Sequence, residues 1–194
     1  IANSTGRMQR LIEQLQRREI QSLKRHVQFG DVARQASSRC QGREPKPACD
    51  SIVDDIWIEA DPERLTMVVE HVIRNAQEAT PADGRVTCRV VCSAGKTILE
   101  VEDNGVGITE AQAEMVFERF YRVDDASTEG SGLGLAIVQE IATQHNATAS
   151  LRPNSAGRGA VARVIFPTWK PPPPPPPLPD DFSELYRQSP PLGT

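Results

Sequence analysis

Between residues 61 and 167 the hydrophobic positions change period several times, and each change marks an element. Leu65, Val68, Val69, Val72, Ile73, Ala76 and Ala79 recur at steps of three and four, the spacing of one buried stripe on an α-helix. Asp61-Pro62-Glu63 begins that helix with a capping carboxylate, a proline in the first turn and an acid at the positive end of the dipole. His71, Asn75 and Glu78, themselves four and three apart, share a polar edge beside the stripe. Pro81-Ala82-Asp83-Gly84 then turns the chain into a strand over 85–92, and Ser93-Ala94-Gly95-Lys96 turns it again into a strand over 97–102. Asp103-Asn104-Gly105-Val106-Gly107-Ile108 ends the second strand. The pattern next predicts a short helix over 109–116, a charged loop over 117–131, and a helix from Gly132 to His145 that is apolar on nearly every side. Strands near 147–152 and 160–166 close the domain at Pro167.

Upstream the signals are sparser. Met8, Leu11, Ile12 and Leu15 predict a helix over 3–19, and the stripe fails through Gln16-Arg17-Arg18-Glu19, which places a helix end or hinge there. Leu23 to Phe29 reads as an edge strand, Asp31 as the cap of a short helix through Ala36, and the polar stretch with Pro45 and Pro47 as a loop. After Lys170 come seven consecutive prolines, 171–177. Such a run adopts polyproline II and cannot join a sheet, so 170–194 reads as a spacer or disordered tail, with one short helix possible around Phe182, Leu185 and Tyr186. The organisation is therefore a partial helix (1–19), a folded domain (20–169) and a proline-rich tail (170–194).

Composition narrows the class. Of 194 residues 38% are hydrophobic and 25% charged, as in soluble globular domains, and the net charge of -4 argues against a nucleic-acid partner. No stretch approaches the ~18 apolar residues of a membrane span. The chain starts at Ile1 inside a predicted helix, which reads as a fragment whose upstream portion can carry a membrane segment. Cys40, Cys49, Cys88 and Cys92 match no common zinc spacing and read as free thiols.

Three local signals carry chemistry. Asn75 offers an amide oxygen that can ligate Mg²⁺ without adding negative charge beside a polyphosphate. Asp103, at a strand end and followed by Gly105 and Gly107, can accept a hydrogen bond from an exocyclic amine such as that of adenine. Gly130-Ser131-Gly132-Leu133-Gly134-Leu135 opens an apolar helix, where unobstructed backbone N–H groups and the helix dipole favour phosphate. It lacks the Lys-Ser/Thr of a Walker loop and the strand and glycine spacing of a Rossmann fingerprint.

These segments, in this order and with Phe117-Glu118-Arg119-Phe120-Tyr121-Arg122 between the last two, resemble the N, G1, F and G2 boxes of sensor histidine kinase catalytic domains, within the ATPase superfamily shared with gyrase and MutL. The resemblance spans about residues 20–167. It implies a two-layer α/β sandwich, a mixed sheet with helices on one face, preceded by a single long helix. By the same resemblance Asn75 holds Mg²⁺, Asp103 bonds the adenine amine, and Gly105, Gly107 and Ile108 shape the adenine pocket. Gly130, Ser131, Gly132, Leu133, Gly134 and Leu135 contact the phosphates, Phe117 and Phe120 anchor a lid over 109–131, and His71 and Arg119 join Asn75 in catalysis. The implied reaction moves the γ-phosphoryl of ATP to a histidine nitrogen, mainly by positioning and charge stabilisation. Residues 1–19 resemble the second helix of the family's dimerisation and phosphotransfer hairpin. The implied partners are the protein's own phosphoacceptor domain, a second copy in a homodimer and a response regulator, and the implied setting is the cytoplasmic side of a membrane-bound sensor.

The family's acceptor pattern, His followed by an acid and later Pro, is absent: His26 precedes Val-Gln-Phe-Gly and reads as a surface histidine, and His145 closes a helix. Where many members have asparagine and lysine the chain has His71 and Glu78, which reads as subfamily character and leaves phosphate charge to Mg²⁺, Arg119 or Arg122. Three other functions fit parts of the sequence: a nucleotide-binding scaffold without catalysis, a serine kinase of the anti-sigma type, and a docking module built on the proline run.

Overall fold

The computed structural model describes residues 24–122, 132–155 and 157–170, and the predicted helix over 3–19, Gly130, Ser131 and the proline tail lie outside them. In chain order the elements are β1 (Arg25–Gln28), α1 (Phe29–Arg39), a 3-10 turn (Cys40–Gly42), β2 (Pro47–Ile52) and β3 (Trp57–Ala60). Then follow α2 (Pro62–Ala79), β4 (Val86–Ser93), β5 (Lys96–Asp103), α3 (Glu110–Met115), α4 (Gly134–Gln144), β6 (Thr148–Pro153) and β7 (Ala160–Pro167). Five strands form one sheet in the order β2-β4-β5-β7-β6, with β2 parallel to β4 and the other pairs antiparallel. Among the described residues the helices pack on one face, giving the α/β sandwich that the resemblance implied.

The register explains the core. Val90 pairs with Leu99 and Leu99 with Val164; one row on, Cys88 pairs with Val101 and Val101 with Ala162. All six are buried, so the strands send alternate residues beneath the helices. Helix α2 lies across them with Leu65, Val68, Val69, Val72 and Ile73 at 1% exposure or less. The opposite face carries a charged ladder in which Arg89 meets Asp50, Glu100 and Glu102, and Arg163 meets Glu100. Solvated pairs of this kind contribute little to stability and keep an open sheet face soluble.

Asp61 caps α2 as the sequence indicated, its carboxylate accepting from the N–H of Glu63 and of Arg64. The α2 and α4 ends are tied together by His145, whose Nε2 accepts from the Asp61 N–H at 3.1 Å while Nδ1 donates to the Ile141 carbonyl at 2.8 Å. This fixes the neutral imidazole. Burial holds its pKa below the ordinary value.

Upstream of α2 the expectations need correcting. Helix α1 starts at Phe29, with Gln28 in the cap position and no side-chain cap. Burial of Phe29 against Phe166, with ring centroids 5.3 Å apart, sets that start, and Asp31 lies inside the first turn, paired with Arg34. The helix runs to Arg39 rather than Ala36. The strand expected over Leu23–Phe29 pairs with β3 in a separate two-stranded sheet instead of edging the main one. The polar stretch read as a loop contains β2, and β3 follows it.

Candidate functional site

The polar edge of α2 runs beside the start of α4. His71 and Asn75 are half-buried on it, and a Cβ added at Gly134, the first residue of α4, would lie 3.4 Å from His71 Nδ1. His71 thus abuts the N-terminus of α4. Burial, and next the nearby Arg74 guanidinium, hold its imidazole below the ordinary pKa, so it is neutral near pH 7. The first turn of α4 has no side-chain cap, with Leu133 in the cap position and Leu135 buried. Its orphan N–H groups are left for another acceptor.

At its other end α2 meets the loop after β5. The Val106 N–H donates to the Ala79 carbonyl at 3.0 Å, and a Cβ on Gly105 would fall 2.0 Å from that oxygen. The requirement for glycine at 105 is thus contact with the last turn of α2. Gly107 has φ +81, a conformation open to glycine, and abuts Gly159; Ile108 beside it is half-buried.

Asp103 continues the inward-facing row of β5 after Thr97, Leu99 and Val101 and is 5% exposed. Its Oδ1 accepts from the N–H of Gly105 at 2.9 Å and of Ala160 at 3.2 Å. Among the described residues no donor reaches Oδ2. Burial pushes the carboxyl pKa up and the two backbone donors oppose it. A fixed, desolvated acceptor suits the amine of a planar base. Ala160 was not anticipated from the sequence. Gly159 before it, with φ +104 and the Asp103 carbonyl 2.0 Å from where a Cβ would sit, was the available signal.

Phe120 and Gly132 meet across the base of the lid segment. The Phe120 N–H donates to the Gly132 carbonyl at 2.9 Å, both residues have φ +67, and a Gly132 Cβ would lie 2.9 Å from the Phe120 backbone. The contact is through backbone; the Phe120 ring is 72% exposed, whereas Phe117 is half-buried. Arg119 pairs with Glu140 on α4 at 3.3 Å. The structure therefore brings His71, Asn75, Gly134 and the Asp103–Gly107 loop around one helix.

Residues 60–170 match the model of the Histidine kinase-, DNA gyrase B-, and HSP90-like ATPase family. The chain belongs to this family of ATP-binding domains. Among curated relatives it is 42% identical over 98 residues to the sensor protein kinase WalK of Staphylococcus saprophyticus, covering 48% of this chain and 16% of that protein. It is 36% identical over 118 residues to the sensor protein kinase PmrB of Pseudomonas aeruginosa, covering 60% of this chain and 23% of that protein. Among solved structures the mycobacterial sensor histidine kinase MprB superposes with a TM-score of 0.66 at 27% identity, covering 75% of this chain and 97% of that one. The chain thus spans a small part of the curated relatives and nearly all of a solved domain.

Proposed function

We propose that this chain binds ATP with Mg²⁺ along the polar edge of α2, between the start of α4 and the loop after β5, and donates the γ-phosphoryl to a histidine on a separate dimerisation domain, as the catalytic portion of a two-component sensor kinase. The observation that carries this is the position of α2, whose polar edge touches the uncapped start of α4 through His71 while its last turn grips the loop after Asp103 through Ala79. One helix thus spans the place for a base and the place for phosphates.

In this reading Asp103 Oδ2 accepts from the adenine amine, and Gly107 and Ile108 border the base. The α4 N-terminus from Gly132 to Leu135, with Gly130 and Ser131 before it, takes the phosphate oxygens. Among the described residues no three His, Cys, Asp or Glu side chains converge as a metal cage. A half-buried amide at Asn75 fits a Mg²⁺ ion that takes its remaining oxygens from phosphate and water. The ion would neutralise charge on the transferring group. His71, neutral and against Gly134, orients the phosphate end, and Arg119 contributes charge from the lid base. The Phe120–Gly132 bond ties the lid segment at Phe120 to the residues just before α4.

The partners that follow are the protein's own phosphoacceptor domain, a second copy through that domain, and a response regulator. The setting is the cytoplasmic side of a membrane sensor. Among the described residues no helix is long and apolar enough to cross a membrane. The test supplies a histidine-containing dimerisation domain with the chain, Mg²⁺ and γ-labelled ATP. Acid-labile, base-stable label on the acceptor histidine supports the proposal. ATP binding with no transfer to any supplied acceptor points to the non-catalytic scaffold.

A further inference from the structure

The polar edge of α2 carries a carboxylate that an anion site should not tolerate. Glu78 lies one turn beyond Asn75, its side chain 41% exposed, on the helix edge that also carries His71 and Asn75. The structure supplies a counter-charge from a distant part of the chain. Arg43, between the 3-10 turn and β2, places its guanidinium 4.0 Å from Glu78 Oε1. Its loop is held in place by the residue next to Glu78. Gln77 is 2% exposed, and its Nε2 stands 3.0 Å from the Cys40 carbonyl, 2.9 Å from that of Arg43 and 3.0 Å from that of Pro45. A buried amide whose two N–H groups are shared among three carbonyls of one loop fixes the loop's backbone against α2. The neighbouring cation on α2, Arg74, is committed to Glu70, which Arg39 also meets.

We propose that Arg43 is a positioning residue for the polyphosphate end of the nucleotide: it neutralises Glu78 and holds that carboxylate off the triphosphate, so that the edge of α2 admits an anion. This rests on the nucleotide site proposed above. It assigns to the loop before β2 a part in ATP binding, with Gln77 as the residue that sets the loop's position. The effect is electrostatic and scales with ligand charge, so it distinguishes ATP from adenosine.

The test measures affinity for ATP and for adenosine, with Mg²⁺ and at low and high salt, in the full chain and in Arg43→Gln, Arg43→Lys, Glu78→Gln and the Arg43→Gln/Glu78→Gln pair, each checked by thermal melting. At low salt Arg43→Gln weakens ATP binding about three- to tenfold, the scale of a partly exposed charge acting on a polyanion. Adenosine affinity stays at the wild-type value, high salt shrinks the loss, and Arg43→Lys keeps most of the ATP affinity. Glu78→Gln alone tightens ATP binding, and in its background Arg43→Gln loses little. Equal losses for ATP and adenosine, no loss for either, or an undiminished loss in the Glu78→Gln background overturns the proposal. Should Arg43→Gln fail to fold, unchanged ATP affinity in Glu78→Gln overturns it. A wild-type chain that binds neither ligand removes the nucleotide site itself and this inference with it.

Discussion

Replacing Asp103 by asparagine changes one atom's hydrogen-bonding sense in a site with no room to adapt. The carboxylate is 5% exposed, and Oδ1 is committed to the N–H groups of Gly105 and Ala160. Asparagine keeps those two bonds only if its carbonyl oxygen takes the Oδ1 position, which puts the NH₂ group where Oδ2 was. A donor then faces the donor of the adenine amine. Turning the amide over restores the acceptor to the ligand but sets NH₂ against two backbone donors. Either way a charge-assisted bond is lost and a buried donor goes unpaired, about 2–4 kcal/mol. With 1.4 kcal/mol per tenfold, ATP affinity falls by roughly 30- to 700-fold. The free protein behaves differently. Burial already opposes the charge on Asp103, so the neutral amide relieves desolvation while keeping two bonds, and stability stays within about 1 kcal/mol of wild type. Calorimetric titration with ATP and with adenosine, beside urea unfolding, reads both quantities. Asp103→Asn that binds ATP within threefold of wild type refutes the assignment of the base site.

Other substitutions separate chemistry from architecture. Asn75→Ala abolishes Mg²⁺-dependent transfer to a supplied acceptor domain and moves Tm by only a few degrees; transfer at the wild-type rate would exclude Asn75 as the metal ligand. Gly105→Ala drives a Cβ to 2.0 Å from the Ala79 carbonyl, and with backbone on both sides the destabilisation reaches about 3 kcal/mol, measured by urea unfolding. His145 carries a depressed pKa in the folded state, so its contribution is complete above the unfolded value of about 6.5 and is lost as pH falls below it. Unfolding free energy at pH 7.5 therefore exceeds that at pH 5.5, and His145→Gln flattens part of the slope, to which His71, also depressed by burial, adds in the same direction.

The elements that read clearly in the sequence are those in which local chemistry and tertiary burial agree. Asp61-Pro62 and the apolar stripe place α2, and the positive φ of Ala94 and Gly95 accounts for the readable hairpin between β4 and β5. The edge strand β2 was hidden because Ala48, Cys49, Asp50 and Ser51 are all exposed and show no alternation. Strand β3 alternates, with Ile58 and Ala60 buried, but four residues are too few to stand out. The segments that meet around α2 are those that the motif order had singled out. Asp103 continues the Leu99–Val101 alternation, but its bond from the Ala160 N–H comes from the chain 57 residues away, and the role of Gln77 depends on a loop 32 to 37 residues away. Such long-range contacts leave no local periodicity to read.

In the proposed function α2, the loop after β5 and the start of α4 form one adenine-specific nucleotide site. Titration of the chain with a non-hydrolysable ATP analogue, with and without Mg²⁺ and beside the GTP analogue, tests it most directly. Such a site gives saturable binding that prefers adenine, strengthens with Mg²⁺ and stabilises the fold by about 2.7 kcal/mol at a hundredfold excess over Kd. Absence of binding up to millimolar analogue, or equal binding of the guanine analogue, would contradict it.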